Sequence, residues 1–184
     1  MTYEATTAFF HQHLEAMSLA VDDIAEIVEQ AGGLAQQTLV AEGKVFSCGL
    51  GYSVSSAIIF ADLLREHPLR ERPALPVVEL CPRIGPSDPT TSAWLSSQLV
   101  ALGQPGDLAI IFASNLLDDE LENIATALAK RAVNAVWVGS PGPGVSIAFP
   151  DADALSILAL NQACAMCLAN AIDIHTFGPL EENT

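Results

Sequence analysis

Short apolar runs alternate with helical patterns from residue 43 onward, and this alternation constrains the fold more than any other feature. The runs predict strands at 44–48, 75–80, 108–113, 134–139 and 145–149. The stretches between and after them predict helices at 53–66, 91–102, 117–131 and 151–176. Strands separated by helices are joined by crossovers, so they pair in parallel and need a helical layer on each face. The sequence therefore predicts a three-layer α/β/α sandwich around a five-stranded parallel sheet.

The first 42 residues form a separate helical region in this scheme. Apolar residues recur at helical spacing, and the pair Gly32-Gly33 interrupts them, so we predict two helices. A chain of 184 residues suits one domain, here a helical region at 1–42 and an α/β core at 43–184. The helical region and the last helix carry more apolar surface than the sheet can cover, so we expect a homo-oligomer, a dimer or a tetramer.

The charge balance excludes one class of partner. The chain has 7 Lys and Arg against 22 Asp and Glu, a formal net charge of -15, which argues against direct nucleic-acid binding. Three of the cations, Arg65, Arg70 and Arg72, lie close together, and we interpret them as a solvated loop. The apolar runs are short, so we expect no membrane span, and no basic segment precedes an apolar one near the start, so we expect a cytoplasmic protein.

The cysteines do not form a metal-binding pattern. Cys164 and Cys167 make a C-x-x-C inside an apolar stretch, with no second pair nearby. We therefore interpret them as buried thiols and expect no metal and no other cofactor.

The segment "FSCGLGYSVSS" follows the first predicted strand and looks like a ligand loop. Its Gly-x-Gly-x-x pattern ends in Val54, and a Gly-Lys-Ser/Thr sequence is absent, so a nucleotide loop is disfavoured. Ser53 begins a helix, where free N–H groups favour an anion, and Ser55 adds a second hydroxyl. Ser53 could equally be a helix cap, and the loop alone leaves both interpretations open.

A second loop follows the third predicted strand. It offers Ser114 and Asn115, and then the acidic start of a helix at 118–122. Carboxylates at that position stabilise the helix but repel a phosphate. The carboxyl ends of neighbouring parallel strands meet at one edge of a sheet, so both loops are expected to face the same ligand site.

Four segments resemble the sugar isomerase (SIS) domain family, and specifically its phosphoheptose isomerase subgroup. The first, "EGKVFSCGLGYSVSSAIIFADLL", is similar to that subgroup's opening strand, loop and helix. The others are "RERPALPVVEL", "QLVALGQPGDLAIIFAS" and "CLANAIDIHTFGPLEEN", so the resemblance extends over nearly the whole chain. Within this subgroup the chain is most similar to the DnaA initiator-associating (DiaA) branch, whose members are tetramers assembled through their N-terminal helices.

The chain departs from this family where chemistry is expected. The resemblance places the catalytic Glu of the isomerases at Leu63, beside Asp62, and their catalytic His at or near Gln162. The polar Asn of the first loop becomes Leu50, and Ser114 is the one hydroxyl kept in the phosphate loop. General acid–base catalysis needs a titratable group, which neither Leu nor Gln supplies.

These departures lead to a main hypothesis and two alternatives. The main one is a non-catalytic, DiaA-like scaffold that binds the replication initiator DnaA as a homo-oligomer, with Phe177 as the contact residue that the resemblance implies.

The first alternative is a phosphosugar (phosphoheptose) isomerase that uses Ser53, Ser55, Ser114 and Asp62. The second alternative is a regulatory module that holds a phosphosugar with Ser53, Ser114 and Asn115 without turning it over. On the sequence alone, Ser53 is interpreted as a helix cap, and the function is expected to lie at the surface.

Overall fold

The computed structural model describes residues 2–82, 88 and 90–180. Its five helices are α1 (Thr2–Val40), α2 (Val54–Arg65), α3 (Thr91–Leu102), α4 (Asp118–Arg131) and α5 (Ala154–Phe177). Its five strands are β1 (Val45–Gly49), β2 (Val77–Leu80), β3 (Leu108–Phe112), β4 (Asn134–Val138) and β5 (Val145–Ile147). A short 3-10 turn (Gly51–Ser53) leads into α2. The proline-rich segment "PRIGPSDP" lies largely outside the described residues.

All five strands are parallel and lie in the order β2-β1-β3-β4-β5. The chain moves outward from β1 to β2, and then crosses back to place β3 on the other side of β1. The strand order therefore reverses between β1 and β3, and Gly49 at the end of β1 pairs with Phe112 at the end of β3. This arrangement confirms the predicted sandwich.

Side chains of the central strands alternate between two hydrophobic cores. In β3, Leu108, Ile110 and Phe112 face the layer made by α1, α2 and α5. Ala109 and Ile111 face the layer made by α3 and α4. The whole of β3 is buried, as expected for a strand covered on both faces.

The N-terminal region is one helix of 39 residues, so the prediction of two helices is wrong. Glycine lowers helix propensity, but here Gly32 faces α5. A Cβ at Gly32 would lie 3.2 Å from the Cβ of Ala171 and 3.1 Å from Cδ2 of His175. The missing side chain lets α5 approach α1 closely, and this packing outweighs the local helix preference.

The three clustered arginines are held in ion pairs, so their interpretation as a solvated loop is wrong. Nε of Arg72 donates to Oδ1 of the fully buried Asp173 at 2.7 Å, and the Arg72 side chain is only 2% exposed. Arg70 lies 3.3 Å from the other oxygen of Asp173. Arg72 also donates to the carbonyls of Leu63 and Leu64, which end α2. Because cations near a helix C-terminus are favourable, this network ties α2 to α5.

Helix α5 has the length and apolar composition of a membrane span, with a mean hydropathy of 1.6 over its most apolar window. More than half of that window is buried inside the fold, however, where α5 packs against α1 and α2. No other helix in residues 2–82, 88 and 90–180 meets the same test.

We predict that Asp173→Ala destabilises the fold strongly, because it leaves the buried Arg72 without its counter-ion. Breaking a buried pair in this way costs about 3–5 kcal/mol in free energy of unfolding. Urea unfolding followed by circular dichroism measures the change. Arg65→Ala removes an exposed arginine paired with Asp62 and is the matched control. Equal unfolding midpoints for the two variants would contradict the assigned role of Asp173.

Candidate functional site

The first predicted ligand loop lies at the carboxyl edge of the sheet, where strand order reverses. Gly49 is packed tightly, because a Cβ there would lie 2.7 Å from Cα of Val54 and 2.9 Å from Cβ of Ala57. The Leu50 N–H donates to the carbonyl of Phe112 at 3.0 Å, which fixes the loop to the end of β3. Gly51 has a φ of +59°, a conformation that favours glycine.

The two bulky residues of this loop have different surroundings. Leu50 is buried in the core on the α3 and α4 side of the sheet. Tyr52 is 65% exposed. The bulk of Leu50 therefore fills the interior and leaves the opening of the loop free, whereas Tyr52 is the residue whose ring is available at the surface.

Ser53 is held by Asn161, a residue that the sequence reasoning did not identify. Asn161 Nδ2 donates to Ser53 Oγ at 3.0 Å and to the Ala113 carbonyl at 3.2 Å. The Ser53 side chain makes no capping hydrogen bond to α2. Its interpretation as a helix cap is therefore wrong, because the buried amide of Asn161 uses the hydroxyl as an acceptor.

Asn161 joins the ends of three strands. Its Nδ2 contacts the residue after β3 and the loop after β1, and its amide lies against Gly139, which follows β4. A Cβ at Gly139 would lie 2.4 Å from Asn161 Oδ1 and 2.2 Å from the Ala113 carbonyl oxygen. Gly139 also has a φ of +91°. Asn161 Oδ1 is buried and has no hydrogen-bond partner among the described residues.

The second loop leaves two polar residues near this edge. Ser114 is half-buried and Asn115 is exposed, with a left-handed φ of 57°. The helix that follows begins with exposed carboxylates at Asp118 and Asp119. The carboxylate of Glu120 is hydrogen-bonded, since its Oε2 accepts from the Leu117 N–H at 3.1 Å.

The remaining predicted site residues lie on different faces of α2 and on α5. Ser55 is exposed and makes only a long contact, 3.5 Å, to the Tyr52 carbonyl. The neighbouring Ser56 donates to Gln162 Oε1 at 3.4 Å, so Gln162 faces α2. Asp62 is 64% exposed and lies 2.7 Å from Arg65.

Leu63 is half-buried against the core formed by α1, α2 and α5. The structure thus brings Ser53 and Asn161 together at the β1 and β3 edge, and it leaves Asp62 on an open helix face two turns beyond Ser55.

The C-terminal end of α5 carries the predicted partner contact. The Phe177 ring lies 5.6 Å from Cζ of Arg72, in a cation–π arrangement, and more than a third of Phe177 is exposed. Part of its role is therefore to cover the arginine that ties α2 to α5. A role in partner binding stays an untested prediction.

The cysteines differ in environment more than the sequence suggested. Cys48 and Cys164 are buried, and burial raises the pKa of Cys164 to about 12. Cys167 is exposed, so the prediction of a buried thiol is wrong there, although partial burial and the nearby Glu29 raise its pKa. Within the described part of the chain, no group of three or more His, Cys, Asp or Glu is placed to hold a metal ion.

Curated relatives match the chain over nearly its whole length. The phosphoheptose isomerase of Alkalilimnicola ehrlichii is 28% identical over 184 residues, which cover 92% of this chain and 94% of the relative. The phosphoheptose isomerase of Chromohalobacter salexigens is 26% identical over 187 residues, covering 94% and 95%. No protein-family model matches the chain.

These relatives correct the main functional hypothesis. The prediction of a non-catalytic scaffold that binds DnaA is wrong, because the matching relatives are named as isomerases. They favour the alternative, a phosphosugar isomerase. Leu63 and Gln162 indicated a non-catalytic protein, whereas similarity along the whole chain favours the isomerase alternative.

Solved structures give the same fold. Phosphoheptose isomerase GmhA from Neisseria gonorrhoeae has a TM-score of 0.79 at 21% identity, over 94% of this chain and 99% of that chain. A phosphoheptose isomerase from Francisella tularensis also has a TM-score of 0.79, at 19% identity, over 94% and 98%. The chain therefore has the SIS fold, and its sequence relatives and structural neighbours both support the phosphoheptose isomerase family as the one it resembles.

Proposed function

We propose that this protein binds a phosphosugar at the carboxyl edge of β1 and β3 and isomerises it. The observation that supports the proposal most directly is the position of Asn161. Its amide contacts Ser53 and the residues that follow β3 and β4, at the point where strand order reverses. Ligands of open α/β sheets bind at this point. The relatives named phosphoheptose isomerase add the substrate class.

The phosphate is proposed to lie at the start of α2, near Ser53 and Ser55 on one side and Ser114 and Asn115 on the other. Free N–H groups at a helix N-terminus favour an anion, and hydroxyl and amide groups can donate to its oxygens. Ser53 is fully buried and its Oγ accepts from Asn161, so its proposed contribution is to hold the loop that presents the N–H groups.

Isomerisation of an aldose to a ketose moves a proton between two adjacent carbons and needs a base. Asp62 is the one carboxylate within α2, so we assign it this role. Its partner Arg65 also lies 3.5 Å from Glu79. The carboxylates of Asp62 and Glu79 therefore share the guanidinium of Arg65, and the three groups together have a net negative charge.

A second candidate function has an observation in its favour. Leu63 and Gln162 stand at the positions to which the resemblance assigns the catalytic Glu and His of the isomerases. A chain that keeps hydroxyl and amide groups in its two loops but lacks proton-transfer groups would bind a phosphosugar as a regulatory module. Both candidates predict that a phosphosugar binds, but only the isomerase predicts turnover. A turnover assay therefore distinguishes them.

We predict that the protein converts sedoheptulose 7-phosphate, and that Asp62→Asn abolishes turnover while leaving binding intact. Binding is measured as the rise in Tm, about 5–10 °C at a ligand concentration about 100 times Kd. A rise in Tm without turnover in the parent protein would replace the isomerase with the regulatory module. If the parent protein shows no turnover and no rise in Tm, both candidate functions are wrong.

We predict that Ser114→Asp removes the rise in Tm, because a carboxylate beside the phosphate repels it. Ser97→Asp places the same charge on the exposed face of α3 and is the matched control. Equal rises in Tm for the two variants would place the phosphate elsewhere.

We also propose that the protein is a homo-oligomer, a dimer or a tetramer, that assembles through residues 1–42. Along α1, four of the six large hydrophobic residues that are more than half exposed recur at spacings of 7, 4 and 7, namely Tyr3, Phe10, Leu14 and Val21. This apolar seam lies on a helix whose first turns have little packing, and isolated helical turns are marginal in water. A second copy would cover the seam.

Light scattering tests this assembly. We predict that Phe10→Glu combined with Leu14→Glu reduces the mass to that of one chain, 19.4 kDa, because the charges would be buried in the interface. Leu69→Glu alters an equally exposed leucine outside α1 and should leave the mass unchanged. A parent protein with the mass of one chain would contradict the proposal directly.

A further inference from the structure

A cavity of about 340 Å³ lies between α1 and the segment that follows β5. Its walls are apolar and include Ala20 and Ile24 of α1, Phe149 of the following segment, and Leu160 of α5. This volume is at the small end of the range for ligand pockets. The cavity shares no lining residue with the loops at 49–53 and 114–118, so it is separate from the proposed phosphosugar site.

Two carboxylates line this cavity. Asp23 comes from α1 and Asp151 from the segment after β5, and both residues are exposed. Within residues 2–82, 88 and 90–180, neither makes an ion pair or a hydrogen bond with another side chain. Asp153 is different, because its oxygens accept from Ser156 and Gln12 and it caps α5.

The cavity is also distinct from the apolar seam proposed to join copies of the chain. Its α1 residues Ala16, Ala20 and Ile24 recur at a spacing of four and lie on one helix face. At about 100° per residue, the centre of this face is rotated by roughly 100° from the centre of the seam that contains Leu14. Assembly through the seam therefore does not require the cavity to be covered.

We propose that this cavity binds a small organic cation, an amine attached to an apolar body. The apolar body would displace water from the walls formed by Ile24, Phe149 and Leu160. The ammonium group would lie at the rim, where Asp23 and Asp151 supply uncompensated negative charge beside a surface of low polarity. The same charges disfavour an anion of the same shape, including a phosphosugar.

Three probes of similar shape and different charge test this inference by isothermal titration calorimetry. Phenethylamine is cationic at neutral pH, 2-phenylethanol is neutral and 3-phenylpropionate is anionic. Phenethylamine should bind about tenfold more tightly than the alcohol, and the anion should bind most weakly. Equal affinities for all three probes, or no binding of phenethylamine at millimolar concentration, would overturn the proposal.

Amino-acid substitutions test whether phenethylamine binds in this cavity. Asp23→Asn combined with Asp151→Asn should weaken phenethylamine about tenfold and leave 2-phenylethanol unchanged, because only the charge is removed. Glu122→Gln removes an exposed carboxylate from α4 on the other face of the sheet, and it should change neither affinity. If both sets of substitutions have the same effect, binding reflects the net charge of the chain and not this cavity.

Ala20→Phe is a second test that does not depend on charge. The larger side chain should fill the cavity and abolish binding of both phenethylamine and the alcohol. Circular dichroism confirms that the variant is folded, and if it is not, the carboxylate substitutions decide the question. Undiminished binding in a folded Ala20→Phe protein would overturn the assignment. Because phosphosugar turnover is measured separately, failure here is distinguishable from failure of the proposed function.

Discussion

Burial of a parallel sheet on both faces is the constraint on which the rest of this structure depends. The strand β3 is buried along its whole length, with alternate residues in the two hydrophobic cores. Such a strand needs a helical layer on each side, and it needs crossovers that bring every carboxyl end to one edge. Both candidate loops lie at that edge for this reason.

Asn161 shows how a core helix contributes to a site at the edge of the sheet. Its amide donates to Ser53 and to the carbonyl after β3, and Gly139 supplies the space that the amide occupies. A buried side-chain amide is stable only when hydrogen bonds replace those it loses to water, so these contacts fix the loop geometry. The remaining oxygen, Oδ1, is a polar group that the described residues leave unpaired.

Two features of the chain bear on its function in opposite directions. Leu63, Gln162 and Leu50 indicated a lost active site when each position was considered alone. The structure shows that Leu50 is part of the core, so its bulk says nothing about ligand binding. Similarity to isomerases over more than nine-tenths of the chain then outweighs the two missing residue types. The proposed phosphosugar isomerase is the hypothesis that agrees with this similarity.

Apolar periodicity was enough to predict the succession of strands and helices along the chain, because it is a local signal that burial imposes on each element. It also located both loops. Only the tertiary structure decided that α1 continues through Gly32-Gly33, that Arg72 is buried against Asp173, and that Ser53 is held by Asn161 instead of capping α2. Each of these depends on contact between residues far apart in the chain, such as the 108 positions between Ser53 and Asn161, whose packing outweighs local preference.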